Sequence, residues 1–178
     1  MSTTKVNADV LDLADDYAFT GTVTGAGGGK VVQVVNTQTG AVATGTTTTP
    51  LDDTIPQITE GTEFMTLAIT PTSASNKLFI EVAVNYASSA TNGRTWALHQ
   101  DTTAGALACI HEQSAAGADE LFIIGFNHYM TSGTTSSTTF RVRGGGSNSS
   151  TITFNGASGA RRNGGVLASS ITITEIEV

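Results

Sequence analysis

The stretch LAITPTSASNKLFIEVAV, Leu67–Val84, sets two runs of alternating apolar residues around a proline and a string of small polar side chains. In the first run Met65, Leu67 and Ile69 share one parity; in the second Leu78, Ile80, Val82, Val84 and Tyr86 do the same. A period of two places such residues on one face of an extended strand. Pro71 ends the first run and Asn76 suits a tight exit, so the pattern predicts an antiparallel hairpin with one apolar face. Thr, Ser and Gly surround it. Side chains able to do chemistry are few.

The rest of the chain extends the pattern. KVVQVVN reads as a strand with valines on both faces, and residues 41–62 as a long polar loop broken by Pro50 and Pro56. RTWALHQ and ALACIHEQ form a second expected hairpin around DTTAG. TTFRVRG, STITF and ASSITITEIEV complete the strands, and FRVRGGGSNSSTITF reads as a further hairpin. In the last strand Ile171 and Ile173 share one parity while Ile176 and Val178 take the other. A bulge or face switch is therefore expected near Thr174 and Glu175. About eight or nine short strands with Gly-rich turns predict an all-β, jelly-roll-like antiparallel β-sandwich head over residues 30–178.

Residues 1–29 differ. NADVLDLADDYAF places Val10, Leu13 and Tyr17 at helical spacing, with Asp9 as a candidate cap, and TGTVTGAGGG follows as a small-residue linker. This predicts a short, partly helical N-terminal arm whose apolar stripe needs a partner. Asp9, Asp12, Asp15 and Asp16 read as solvated charges beside a docking helix, since the glycine and terminal glutamate of a calcium loop are missing.

Composition narrows the function. The 178 residues carry eight basic and fifteen acidic side chains, a net charge of −7, which excludes the basic footprint of a nucleic-acid binder. No run approaches a membrane span, and the N-terminus lacks the basic-then-apolar order of a signal peptide. A single cysteine, Cys109, cannot staple the fold and is expected to be a buried, inert thiol.

Catalysis finds little support. His99, His111 and His128 fall in three strands without metal-ligand spacing. A glycan hydrolase needs two positioned carboxylates, and Asp52, Asp53, Glu60, Glu63, Asp101, Asp119 and Glu120 flank turns or strand ends with no pair singled out. No enzyme and no cofactor is expected. Trp96 and Tyr86 could stack on a sugar, although the alternation of Trp96 with Leu98 favours the core. The loops GGGSNSS and NGASGARRNGG are better binding candidates, through Ser147, Asn148, Asn155, Arg161 and Arg162. DELFIIGFNHYM is apolar on both faces, with Phe122, Ile124, Phe126, His128 and Met130 on one of them. A strand buried on both sides needs two covers, so these five are expected at a subunit interface.

Two segments carry a family likeness. GKVVQVVN, followed by DDTIPQITEGTEFMTLAITPTSASNKLFIEVAV, resembles a module that recurs in tailed-bacteriophage fibre, spike and other virion structural proteins. LADDYAFTGTVTGAG resembles the segment that often precedes it. The likeness covers roughly the N-terminal half of the chain. It implies a virion protein assembled in the bacterial host cytoplasm, usually a homotrimer, and no reaction. The resulting expectation is a short trimeric fibre or spike, its arm docked on another virion protein through Val10, Leu13 and Tyr17, its head touching a host-surface glycan or protein. The alternatives are a capsid-decorating or tail-assembly protein without receptor binding and, behind it, a glycan-degrading enzyme.

Overall fold

The computed structural model describes residues 29–113 and 117–178. The arm's Val10, Leu13, Tyr17 and aspartates lie outside the described residues. The strands are β1 (Val31–Thr39), β2 (Ala43–Gly45), β3 (Thr62–Ile69), β4 (Lys77–Ser88), β5 (Arg94–Gln100) and β6 (Ala108–Glu112). They continue with β7 (Leu121–Thr131), β8 (Thr138–Gly146), β9 (Ile152–Phe154), β10 (Gly156–Ala157), β11 (Ala160–Arg161) and β12 (Ser169–Ile176).

One sheet runs β1-β12-β4-β7, and β9 with β2 extends it along the far end of β4; the other runs β3-β8-β5-β6. All pairings are antiparallel. Setting aside β2, β9, β10 and β11, the strands lie first-eighth-third-sixth in one sheet and second-seventh-fourth-fifth in the other. That order defines a jelly-roll β-sandwich.

The core between the sheets holds Leu78, Ile80, Val84, Tyr86, Trp96, Leu98, Phe140 and Ile171, all at 0% exposure. Burying each such side chain stabilises by roughly 1.5–3 kcal/mol. The faces predicted for β3 and β4 are correct, and β5 and β6 form the expected hairpin, with Trp96 opposite Ile110.

Two expected hairpins do not form. Leu67–Val84 crosses between sheets: β3 pairs β8, with Leu67 opposite Phe140, while β4 pairs β12 and β7. The two apolar faces meet across the core instead of lying side by side. FRVRGGGSNSSTITF also crosses, β8 pairing β3 and β5 while β9 pairs β4 and β2. Alternation reveals which side of a strand is apolar; it does not reveal which sheet the strand joins.

The face switch near Thr174 is also absent. β12 alternates without interruption, and Glu175, at 0% exposure, occupies the next inward position after Ile173. The irregularity lies in β1 instead, where the register shifts between Val31 and Gln33.

The register defines two ends. Lys77, Thr131, Ile176 and Val31 align at the base; Ala87 and Leu121 align near the top. β3 descends to the base and β8 rises from it, with Ile69 opposite Thr138. Thr39 and the segments after β4, β8 and β9 therefore lie toward the top.

Candidate functional site

The top end is built on a buried charge cluster. Arg94 and Glu112 face each other across the β5–β6 hairpin, and the Arg94 guanidinium donates to Glu112 at 3.0 Å and to the Ala90 carbonyl at 2.7 Å. Arg94 is wholly buried, and its guanidinium lies 5.0 Å from the centroid of the Phe122 ring. Tyr86 donates its hydroxyl to Glu112 at 3.2 Å. Burial, then the Glu112 charge, pushes the Tyr86 phenol far above its ordinary range. A buried cation is tolerable only when paired and hydrogen-bonded. Its role is to hold the 89–93 segment in place. Register alone brings Arg94 to Glu112, so composition gives no warning of the pair.

Two loops rise over this cluster. Ser147 donates its backbone N–H to the Gly93 carbonyl at 2.8 Å, and Asn92 Nδ2 reaches the Asn148 side-chain oxygen at 2.6 Å. Asn148 is exposed and Ser147 half-buried. Gly144–Gly146 belong to β8 and not to the loop, because a Cβ on Gly144 would stand 2.6 Å from the Trp96 ring. Gly144 makes room for Trp96, whereas a Cβ on Gly145 would meet Thr47 and Thr49 and one on Gly146 would meet Ser150 and Asn148.

Asn155 is not a ligand contact. It is 0% exposed and donates to the Thr39 and Ala41 carbonyls at 2.7 and 3.1 Å while accepting from Ser169 at 2.7 Å. Its φ of 54° suits asparagine, which tolerates the left-handed region. The residue stitches the tops of β1 and β12 together.

Beyond Asn155, β10 and β11 form a small hairpin with Gly156 opposite Arg161. Ser158 and Gly159 at its tip both have positive φ, as a two-residue type I′ turn requires. Ser158 N–H donates to Asp119 at 3.1 Å and Gly159 N–H to Thr153 Oγ1 at 3.0 Å, so the hairpin is anchored. Arg161 and Arg162 are exposed on it. The other three arginines are engaged: Arg94 with Glu112, and Arg141 and Arg143 with Glu63. Among the described residues Arg161 and Arg162 make no salt bridge.

The base has a different chemistry. Glu175 accepts from Gln33 Nε2 at 2.6 Å, Asn76 Nδ2 at 2.7 Å, and the backbone N–H and hydroxyl of Thr72, both at 2.8 Å. Burial pushes the carboxyl up, but these donors overcome it and hold the group at about 2. The small polar residues of the opening stretch thus clasp a buried carboxylate, tying the β3–β4 crossover to β12 and β1.

The remaining candidates do not converge. Among the described residues no three His, Cys, Asp or Glu side chains gather to hold a metal. His99 is fully buried and His128 half-buried, and burial lowers the pKa of both. His111 bonds Thr95 Oγ1 at 2.9 Å. Cys109 is exposed, correcting the expectation of a buried thiol: it takes the parity opposite to Trp96 and Leu98 and sits on the edge strand β6, while its register partner Ala97 on the inner strand β5 stays buried. Trp96 and Tyr86 are fully buried and closed to sugar stacking. Asp52 is engaged by Thr54, Glu63 by Arg141 and Arg143, and Asp101 by Thr138 and Thr139.

On β7, Phe122, Ile124, Phe126, His128 and Met130 turn toward the space between the sheets. Ile124 is buried and the other four half-covered, because β7 is an edge strand. The outward side of β7 carries Leu121, Ile123 and Tyr129, at 46%, 72% and 55% exposure, together with exposed Gly125, Asn127 and Thr131.

No protein-family model matches the chain, and no curated protein matches it. Among solved structures it is similar to Eiger TNF from S. frugiperda, at 10% identity and a TM-score of 0.43, over 80% of this chain and 92% of that chain.

Proposed function

We propose that the protein is a virion structural protein of the tailed-phage fibre or spike type, a short trimeric projection whose arm docks on the particle and whose head contacts the host surface. The observation that carries this reading is polarity. Residues 1–28 join the head at its base, where Glu177 N–H donates to the Lys30 carbonyl at 2.8 Å. The arginine hairpin lies at the opposite end of β1, with Gly165 beside Gly40. Nine residues of strand separate the two, about 30 Å. One end is thus available for attachment and the other for contact.

Arg161 and Arg162 supply the contact chemistry. A guanidinium fork pairs with carboxylate or phosphate, groups that charged surface glycans display. Each contact is weak alone, and several heads together provide avidity. Replacing both residues, R161S with R162S, is expected to lower adsorption of particles to host cells at least tenfold, with folding and copy number per particle unchanged. Unchanged adsorption over a range of salt concentrations would instead support a head that only decorates or assembles.

A further inference from the structure

Asparagine followed by glycine occurs three times in the chain, as Asn92 with Gly93, Asn155 with Gly156 and Asn163 with Gly164. The pair carries its own chemistry. Asparagine is among the thermolabile residues, and the backbone nitrogen of a following glycine can attack its side-chain carbonyl carbon, because no Cβ shields the approach. In a folded protein the reaction needs an asparagine amide and a glycine nitrogen that nothing else holds.

The fold locks two of the three pairs. Asn155 is buried with its amide bound at both ends, and a Cβ on Gly156 would stand 2.1 Å from the Ala160 carbonyl oxygen. Asn92 donates to the backbone and side-chain oxygens of Asn148 at 3.0 and 2.6 Å, and Gly93 is buried against the His111 ring. Asn163 and Gly164 differ. Both are exposed, with φ of 49° and 63°. Two left-handed residues in succession, closed by Gly165 N–H donating to the Arg162 carbonyl at 3.1 Å, make a type I′ turn. Among the described residues the Asn163 side chain has no hydrogen-bond partner and the Gly164 N–H donates to no backbone carbonyl. Beyond its chain neighbours, nothing lies within 4 Å of where a Gly164 Cβ would stand.

We propose that Asn163 is a self-modification site that converts to aspartate and isoaspartate and lowers the positive charge of the arginine hairpin as the protein ages. The Gly164 nitrogen gives its proton to hydroxide and bonds to Asn163 Cγ; the bond from Cγ to the side-chain nitrogen breaks, and ammonia leaves. Water then opens the resulting succinimide at one of its two carbonyls, giving aspartate or isoaspartate, with nothing oxidised or reduced. Each event turns a neutral amide into a carboxylate on the residue that follows Arg162. Consecutive Cα atoms are about 3.8 Å apart, inside the screening length of about 8 Å at physiological salt. The turn also packs on Arg161, whose Cδ and Nη1 lie 3.3 Å from the position of a Gly165 Cβ. The new carboxylate thus competes with any anionic ligand for the two guanidinium groups. That consequence rests on the host-contact reading; the modification itself does not.

The test ages the full folded chain in buffers of rising pH and maps its peptides by mass spectrometry, with isoaspartate separated from aspartate by chromatography. Asn163 is expected to convert at least tenfold faster than Asn92 and Asn155, and faster still as pH rises, whereas chain unfolded in urea should convert all three at similar rates. N163Q keeps an amide but closes a ring far more slowly, and is expected to stay unmodified. An intact Asn163, or equal rates at the three sites in the folded chain, overturns the inference. For the consequence, particles carrying N163D are expected to adsorb to host cells severalfold less than wild type. Normal adsorption of N163D beside defective R161S/R162S particles overturns the charge effect. Normal adsorption of both removes the host-contact reading and leaves the modification site standing.

Discussion

At the scale of single residues, Glu175 shows how one side chain can be legible in pattern and misread in meaning. It interrupts an inward row of isoleucines, and an acid on a core face suggests that the strand has turned over. The strand does not turn. Four donors from β1 and the β3–β4 crossover make burial tolerable, and three of those donor groups lie in residues that read as turn filler. Glu175→Gln keeps the shape but loses charge-assisted acceptance and sets an amide against the amide of Asn76. A loss of about 1–3 kcal/mol is expected at pH 7, read from urea midpoints. Because the folded carboxyl sits at about 2 against an ordinary 4.5, its stabilisation is complete above the ordinary value and fades as pH falls toward 2. The gap between wild type and variant should narrow across that window. A gap independent of pH would mean that the carboxylate charge is not what the donors recognise.

At the scale of elements, the longer strands and the inward faces of β3, β4 and β5 were written in the period of two, and partner choice was not. β3 and β4 both turn an apolar side toward one core, a pattern equally compatible with neighbours in a sheet and opponents across a sandwich. β8 and β9 repeat the ambiguity. What decides is packing: Trp96 stacks among Phe64, Tyr86 and Phe154, at ring separations of 5.2–6.3 Å, and only two facing sheets can supply those rings together. The candidate site divides the same way. Arg161 and Arg162 were legible because positive charge is scarce in this chain, whereas Asn155 looked like a loop ligand and is a buried stitch. The triple glycine likewise reads as a flexible rim but is strand, and its first member, Gly144, leaves space for an indole. Gly144→Ala is therefore expected to destabilise by about 1–3 kcal/mol through overpacking. Trp96 is the only tryptophan, so its fluorescence reports the displacement directly. An unshifted emission maximum and unchanged midpoint would show that the ring has room the geometry denies it.

At the scale of the whole molecule, the jelly roll separates tasks by direction. The crossover clasp and both ends of the described chain lie at the base, and the arginine hairpin and the Asn92–Asn148 loop at the top. Residues 29–178 contain both sheets and the core between them, with β1 already paired to β12 from Val31 onward. Removing residues 1–28 takes away none of those pairings. The truncated head is accordingly expected to be soluble and to unfold cooperatively within a few degrees of the full chain. Under the spike reading proposed above, the arm's spacing of Val10, Leu13 and Tyr17 would serve a different duty, docking on a larger assembly. The same truncation should thus abolish incorporation into particles while leaving the head intact, scored by quantifying head copies on purified particles from cells that express only the truncated form. Heads present at normal copy number would remove the arm from its anchoring role and place the attachment surface on the sandwich itself, at the base around Lys30 and Glu177.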